Sequence, residues 1–414
     1  MKVIYDKSRQ RLPIKCWATD ANGDLAIEEK ALAQAVNLSN HPAAVGWISL
    51  MPDAHTGMGM PIGGVVCLHD AVSPNMVGVD IGCGMISYKT PWTLDRVQPK
   101  LKDIMNQIRR DLPVGFARRD PVKKFPTHWA SDIDDLIASY YYTNGLTPGV
   151  EPWYDGDKEF SRYVRSQAGT LGGGNHFCEI QVEEETGYVW IMIHSGSRNV
   201  GKVVCDYYNK LAMSLNESWH SDLPSSDLAF FPLDSDEGKS YLNAMNFALD
   251  FALLNRKYMM EVVVGAFGRS DLLAPDGWFD EIINIHHNYA TMENHLGKNV
   301  MVHRKGATLA RDKTVGIIPG SMGTSSYIVK GLNNKDSFNS CSHGAGRTMS
   351  RSMAKKTIPM EDFKKVMDGI EYTPVDTNLD EAPQAYKDIT QVMANQTDLV
   401  EIIHELRPLG VVKG

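Results

Sequence analysis

Gly78-Val79-Asp80-Ile81-Gly82-Cys83-Gly84-Met85 sets a carboxylate and a thiol three residues apart on a backbone loosened by three glycines. Carboxylates prefer hard cations and thiolates softer ones, so the pair of Asp80 and Cys83 suits a borderline first-row divalent ion such as Mn, Fe, Co or Zn. Glycine lets the main chain turn sharply and approach a ligand closely. The same letters also describe a plain turn followed by a buried cysteine. The choice between the two rests on what lies downstream.

Three further segments place histidines in unusual company. His176 follows a triple glycine in Gly172-Gly173-Gly174-Asn175-His176-Phe177. His194 closes the apolar run Val189-Trp190-Ile191-Met192-Ile193 and opens into Ser195-Gly196-Ser197-Arg198. His286-His287-Asn288 follows Ile282-Ile283-Asn284-Ile285. A histidine at a strand end has its ring fixed by the sheet while it faces a cleft, as a metal ligand must. A thiolate has lone pairs enough to bridge two cations, so Cys83 is able to sit between two metals. Paired metals neutralise the oxygens of a phosphate displacement. His55, in Met51-Pro52-Asp53-Ala54-His55, is a further candidate, with Asp53 placed to orient a ligand or accept a proton.

Two more segments point to phosphate chemistry. Pro319-Gly320-Ser321-Met322-Gly323-Thr324-Ser325-Ser326 follows the strand-like Val315-Gly316-Ile317-Ile318 and offers backbone N–H groups and hydroxyls to a phosphate, although the P-loop ending is absent. In Ser342-His343-Gly344-Ala345-Gly346-Arg347 an imidazole stands among glycines, open to a bulky electrophile. Histidine forms covalent intermediates, and Arg347 would hold the phosphate as a fixed cation. Basic clusters at Arg109-Arg110, Arg118-Arg119, Lys123-Lys124, Arg304-Lys305 and across Arg347, Arg351, Lys355 and Lys356 read first as solvated surface and second, beside a phosphate-handling site, as contacts for a polyanion backbone.

The 414 residues carry a net charge of −8, with 43% hydrophobic and 22% charged residues, ordinary for a globular protein with a sizeable core. No apolar run is long enough for a membrane span, and the N-terminus lacks a signal-peptide core. Six dispersed cysteines, at 16, 67, 83, 178, 205 and 341, argue against disulfides and for a cytoplasmic location. Periodicity predicts helices over 91–112 and 238–263, strands at 65–68, 189–193 and 315–318, and loops at 144–157 and 221–239. Motifs spread from residue 53 to 414 must converge to make one site. That favours a single large α+β domain, residues 1–414, with mixed sheets, surrounding helices and a site assembled from many loops.

Together these segments resemble the RtcB family of RNA ligases. The resemblance runs from Met51-Pro52-Asp53-Ala54-His55 to Val411-Val412-Lys413-Gly414. It is most specific in DIGCGM at 80–85, GGGNHF at 172–177, HSGSR at 194–198, HHN at 286–288, PGSMGT at 319–324 and SHGAGR at 342–347. The stretch Asp380-Glu381-Ala382-Pro383 through Tyr386-Lys387-Asp388 is also typical of the family. What the resemblance implies is a GTP- and Mn²⁺-dependent ligase. It would join RNA ending in a 3′-phosphate or 2′,3′-cyclic phosphate to RNA with a 5′-hydroxyl, such as broken tRNA or rRNA. His343 would become guanylylated, GMP would pass to the RNA 3′-phosphate, and the 5′-hydroxyl would displace it.

By the same resemblance Asp80, Cys83 and His176 would hold one Mn²⁺, and Cys83, His194 and His287 a second. Asn175, His176, Phe177, Cys178, Glu179, His287, Asn288, Pro319, Gly320, Ser321, Met322, Ser326, His343, Gly344, Ala345, Gly346, Tyr386 and Lys413 would line the guanine nucleotide. Asp53 and Arg347 would join His343 in catalysis. No membrane is involved, and the oligomeric state, a monomer included, stays open. The alternative is a two-metal phosphoesterase opening cyclic phosphates, which would need the five metal ligands but neither His343 nor Lys413.

Overall fold

The apolar run Val189–Ile193 has no polar face, and the computed structural model buries it inside a sheet covered on both sides. Residues 1–123, 125–141, 154, 159–278, 282–373 and 376–414 are described. The sheet has seven strands: β1 (Gly84–Thr93), β2 (Phe177–Glu183), β3 (Tyr188–Ser195), β4 (Ile282–His286), β5 (Val315–Ile318), β6 (Ser326–Gly331) and β7 (Val400–Lys413). Their spatial order is β4-β1-β3-β2-β7-β6-β5, and every neighbouring pair is antiparallel.

That pairing decides where the motifs go. Between antiparallel neighbours, the end of one strand meets the start of the next at a common edge. His286 pairs with Gly84, Gly84 with Ser195, His194 with Phe177, and Phe177 with Lys413. Five strands therefore deliver the sequence motifs to one rim. β6 is set back, with Ser326 opposite Leu406, and the 319–325 loop lies beyond that step.

A second sheet of six strands runs in the order Lys2–Ile4, Ile14–Cys16, Ala44–His55, Ile62–Leu68, Lys298–Lys305, Asn288–His295. One of its pairings is parallel, so the architecture is α+β with mixed sheets. His287 is the single residue between β4 and the first strand of the returning hairpin, so it joins the two sheets. Its amide donates to Cys83 O at 2.9 Å.

Four helices frame the rim: α1 (Leu101–Asp111), α2 (Thr127–Tyr141), α3 (Asn199–Ser218) and α4 (Asp236–Gly268). Ser235 caps α4 by accepting the Gly238 amide at 3.0 Å, and Asp236 and Glu237 suit the positive end of the helix. Ile86, Ile180, Ile191 and Ile193 pack with Ile104 of α1 and Met259 and Val263 of α4. Among the described residues no helix is long and apolar enough to cross a membrane.

Several boundaries differ from the sequence expectation. The helix expected at 91–112 begins only at Leu94, because β1 runs on to Thr93 in register with Tyr188. Gln98–Lys100 then tightens to a 3₁₀ turn at Pro99, which has no amide to continue the ladder. The helix expected at 238–263 is longer, Asp236–Gly268. The loop expected at 221–239 contains a 3₁₀ turn, Ser226–Leu228, and a short strand, Phe231–Pro232. The expected strands lie within Ile62–Leu68, β3 and β5. The expected loop at 144–157, Tyr154 apart, and Lys124 lie outside the described residues.

Candidate active site

The opening stretch folds as both of its readings. Asp80 O accepts the Cys83 amide at 3.0 Å, so 80–83 is a turn, and Cys83 is buried. Gly82 sits at φ 72°, with its missing Cβ only 2.8 Å from the Ala252 methyl, so a side chain there would be strained and would clash with α4. The turn aims the thiol at the rim, where the histidines arrive.

Cys83 Sγ lies 3.2 Å from His194 Nε2 and 3.4 Å from His176 Nε2. His194 Nε2 is 3.2 Å from His287 Nε2, and His176 Nε2 is 3.0 Å from Asp80 Oδ2. Two groups result, Cys83-His194-His287 and Asp80-Cys83-His176, sharing the thiol. Two of the other ring nitrogens are spoken for: His176 Nδ1 lies 2.9 Å from Leu171 O and His194 Nδ1 3.0 Å from Asn175 O, while His287 Nδ1 is buried without a partner among the described residues. The Nδ1 atoms of His176 and His194 can bond a carbonyl only as an N–H, which leaves the Nε2 lone pair bare.

Bare lone pairs on Nε2 atoms crowded around a sulfur repel unless a cation lies among them. Donors bonded to one ion at about 2.1–2.3 Å stand about 3.4–3.6 Å apart, close to the spacing found. Burial pushes the Cys83 thiol well above its ordinary pKa, and Asp80 adds to this. Burial likewise drives His194 and His287 well below theirs, and the neighbouring histidines deepen the shift. Neutral imidazoles and a thiol that ionises only beside positive charge are a donor set that fits a divalent ion.

His343 stands against this cluster, its ring centroid 4.8 Å from that of His287. Asp53, fully buried, takes both the His343 amide (3.1 Å) and its Nδ1–H (2.6 Å) on Oδ2. The imidazole is thus held as the Nδ1–H tautomer, with Nε2 left for the cleft. Gly346, at φ 75°, lets the loop close on this carboxylate, for a Cβ there would lie 2.2 Å from Asp53 O. His55 bonds Asp53 O through Nδ1 at 2.9 Å and lines the cleft without joining either ligand group.

The cleft encloses about 290 Å³ and draws together Asn175, Phe177, Glu179, Asn288, Pro319 to Met322, His343 to Gly346, Tyr386 and Lys413. Glu179 is wholly buried; burial pushes its carboxyl up to about 8, with Gln181 and Lys413 working the other way. Lys413 donates to His176 O at 3.0 Å, and burial lowers its ammonium pKa against the pull of Glu381.

Some expectations are corrected. Cys178 points away from the cleft into the core beside Ile180 and Ile193, because side chains alternate along β2. Arg347 is no free cation: its guanidinium donates to Met349 O, Glu381 Oε1 and Asp380 O at 3.0, 3.1 and 2.6 Å. The first two amides of the 319–325 loop are not open to a phosphate either. Gly320 donates to Ser326 Oγ (3.2 Å) and Ser321 to Thr324 Oγ1 (2.7 Å), and Ser326 is buried beneath. Asn288 braces the site by donating to Asp80 O (3.1 Å) and accepting from Gly306 N (2.7 Å).

Sequence reasoning gave no site role to three organising groups. Glu381 gathers Arg347, Arg351 and Tyr386, and Lys413 Nζ lies 3.8 Å away. Burial opposes its ionisation, yet Lys413 and Arg351 hold its carboxyl below the ordinary value. Arg256, in the middle of α4 and fully buried, donates to Gly82 O (2.7 Å), Ser195 O (2.9 Å) and Asn284 Oδ1 (2.7 Å). It ties the edges of β1, β3 and β4 together. Asn255 beside it bonds Thr170 and Gly196. An arginine inside an otherwise apolar helical face is the one sequence signal that marked Arg256.

Two residue groups able to hold metal ions, with a carboxylate-clamped histidine at the mouth, mark this rim as the candidate active site of an enzyme. The family model for tRNA-splicing ligase RtcB matches residues 34–414. The chain is 39% identical to the RNA-splicing ligase RtcB of Escherichia coli K12, over 98% of each chain. It is 32% identical to the tRNA-splicing ligase RtcB of Pyrobaculum aerophilum, over 99% of this chain and 96% of that one. With its counterpart from Thermococcus kodakarensis it shares 30% identity over the same shares. The chain belongs to the RtcB family and is an RNA ligase.

Proposed function

We propose that the enzyme seals RNA 3′-phosphate or 2′,3′-cyclic phosphate ends to 5′-hydroxyl ends, with GTP as co-substrate and two Mn²⁺ ions. The observation that carries this reading is the clamp of Asp53 on His343 Nδ1, which leaves Nε2 facing the cleft as the candidate nucleophile. Nε2 would attack the GTP α-phosphorus, forming the N–P bond as pyrophosphate leaves. The RNA 3′-phosphate then takes the GMP, and the 5′-hydroxyl oxygen attacks the RNA phosphorus and expels GMP. A cyclic phosphate would first be opened by water.

Asp80, Cys83 and His176 would hold one ion and Cys83, His194 and His287 the other. Bound there, the ions would supply Lewis-acid neutralisation of phosphate oxygens. The protein's own groups do the rest. Asp53 balances the charge that the His343 ring gains when Nε2 is phosphorylated with Nδ1–H retained. Glu179 offers a carboxyl to the N–H edge of guanine, and Lys413 a donor to polar atoms of the same nucleotide, which would favour guanine over adenine. Arg347 serves by positioning Glu381 and Tyr386. The six cysteines, all free and buried, are consistent with a reducing cytoplasm, and we read the 414 residues as one functional unit.

Incubation with Mn²⁺ and GTP labelled at the α-phosphorus tests the reading. Label should stay on denatured wild-type protein and vanish in His343→Ala. An unlabelled wild type would overturn the histidine–GMP step.

A further inference from the structure

A second cleft, of about 580 Å³, lies between α1, α2 and the end of α4. It adjoins the catalytic rim through one layer of backbone. Leu171 N donates to Pro113 O (2.9 Å) and Gly115 N to Gly172 O (2.8 Å), while Leu171 O receives the metal-ligand candidate His176 through Nδ1 (2.9 Å). Phe116 stands at this seam with its side chain fully in solvent. A wholly exposed aromatic in a tethered turn does nothing for the core.

The charge of the cleft runs against that of the chain. Arg110, Arg118, Arg119, Lys123 and Arg269 line it, against Asp111, Asp120 and Glu261. All three carboxylates are engaged: Asp111 by Arg269, Glu261 by Trp129 Nε1 (2.7 Å) and His128 Nε2 (2.9 Å), and Asp120 by the amides of Val122 (2.9 Å) and Lys123 (3.0 Å). Arg119 is committed to Gly169 O and Asp111 O at 3.0 and 3.1 Å. Arg118 and Lys123, both exposed, form no ion pair among the described residues, and Arg110 reaches only Gln107. In a protein of net charge −8, folding has brought basic residues from three separate sequence clusters to one groove. Arg109, by contrast, is turned away to Glu371 at 3.2 Å.

We propose that this cleft holds a single-stranded stretch of the RNA leading away from the reacting end. A base stacks on Phe116, and Arg118, Lys123 and Arg110 take the phosphates that follow. The proposal rests on the RNA-ligase reading and adds a path for the strand. Aromatic faces stack any base and mobile cations follow any backbone, so the groove is tolerant of sequence.

The test uses the full-length, metal-loaded protein with two probes: an RNA with a long single-stranded tail ending in a 3′-phosphate, and a trinucleotide with the same end. Phe116→Ala should weaken long-RNA binding about tenfold, the loss of one stacked base. Arg118→Gln with Lys123→Gln should lower the slope of log K against log salt by about 1.4, two phosphate contacts on a single strand. All these residues are exposed, and self-labelling with GTP, which involves no RNA, reports that the variants are folded. Trinucleotide KM should stay at the wild-type value. Unchanged long-RNA affinity, or equal losses for both probes, would overturn the proposal. Should wild type take no label from GTP, the guanylylation reading fails alone, and long-RNA binding still decides the cleft.

Discussion

Asp53→Asn tests the link between the clamp and the chemistry. The amide oxygen can occupy the place of Oδ2 and keep both contacts, to the His343 amide and to Nδ1, which stand at 3.1 and 2.6 Å. The NH₂ must then sit where Oδ1 now has no partner. Geometry survives and charge is lost. A hydrogen bond to a charged group contributes about 1.5–3 kcal/mol against about 1 for a neutral one, so each bond weakens by about 1 kcal/mol. The larger loss comes in the transition state, as Nε2 bonds phosphorus and the ring turns cationic. A unit charge pair at about 4 Å and an effective dielectric of about 20 interacts by about 4 kcal/mol. These contributions overlap, and a net loss of about 3 kcal/mol corresponds to guanylylation slowed about 150-fold. Single-turnover transfer of label from GTP measures it, with metal content and thermal midpoint as controls. A rate within about threefold of wild type, equivalent to under 1 kcal/mol, would refute the role of the carboxylate.

Cys83 belongs to both ligand groups and His176 to one, so elemental analysis of purified protein should show both ions lost in Cys83→Ala and one in His176→Ala. Equal metal content in the two variants would rule out a shared thiolate. Arg256→Leu leaves the carbonyls of Gly82 and Ser195 without a buried partner, and urea unfolding should show destabilisation by about 3–5 kcal/mol. Truncation before Lys413 should weaken labelling from GTP and leave metal content intact, and unaltered labelling would remove Lys413 from the nucleotide site. Glu179 titrates near 8 in the folded chain, above its ordinary 4.5. Its contribution to stability is therefore fully present below pH 4.5 and is lost as pH rises through about 8. Relative to wild type, Glu179→Gln should gain stability across that window, at up to about 1.4 kcal/mol per pH unit, read by urea melts of metal-free protein.

The sequence alone determined the donor types and their local settings. Asp80-x-x-Cys83 read as a metal pair or a turn, either of which Gly82 permits, and the run at 189–193 read as a strand ending in His194. The glycines around His343 marked an imidazole kept open, and the order of the motifs carried the family. Local patterns of this kind are legible because they depend on neighbours a few residues away. The catalytic rim is different in kind. Asp53 meets His343, and Arg256 meets Gly82 and Ser195, across separations that no periodicity encodes. Arg347 illustrates the limit: a fixed cation by sequence, it is bound to Glu381 and Asp380 once their segment folds back over it. Cys178 shows the same for a strand, since its neighbours face the cleft and the pleat turns it away. Antiparallel pairing placed the starts and ends of five strands on a single edge. Only there does one thiol, ordinary in the sequence, lie within 3.4 Å of two histidines at once.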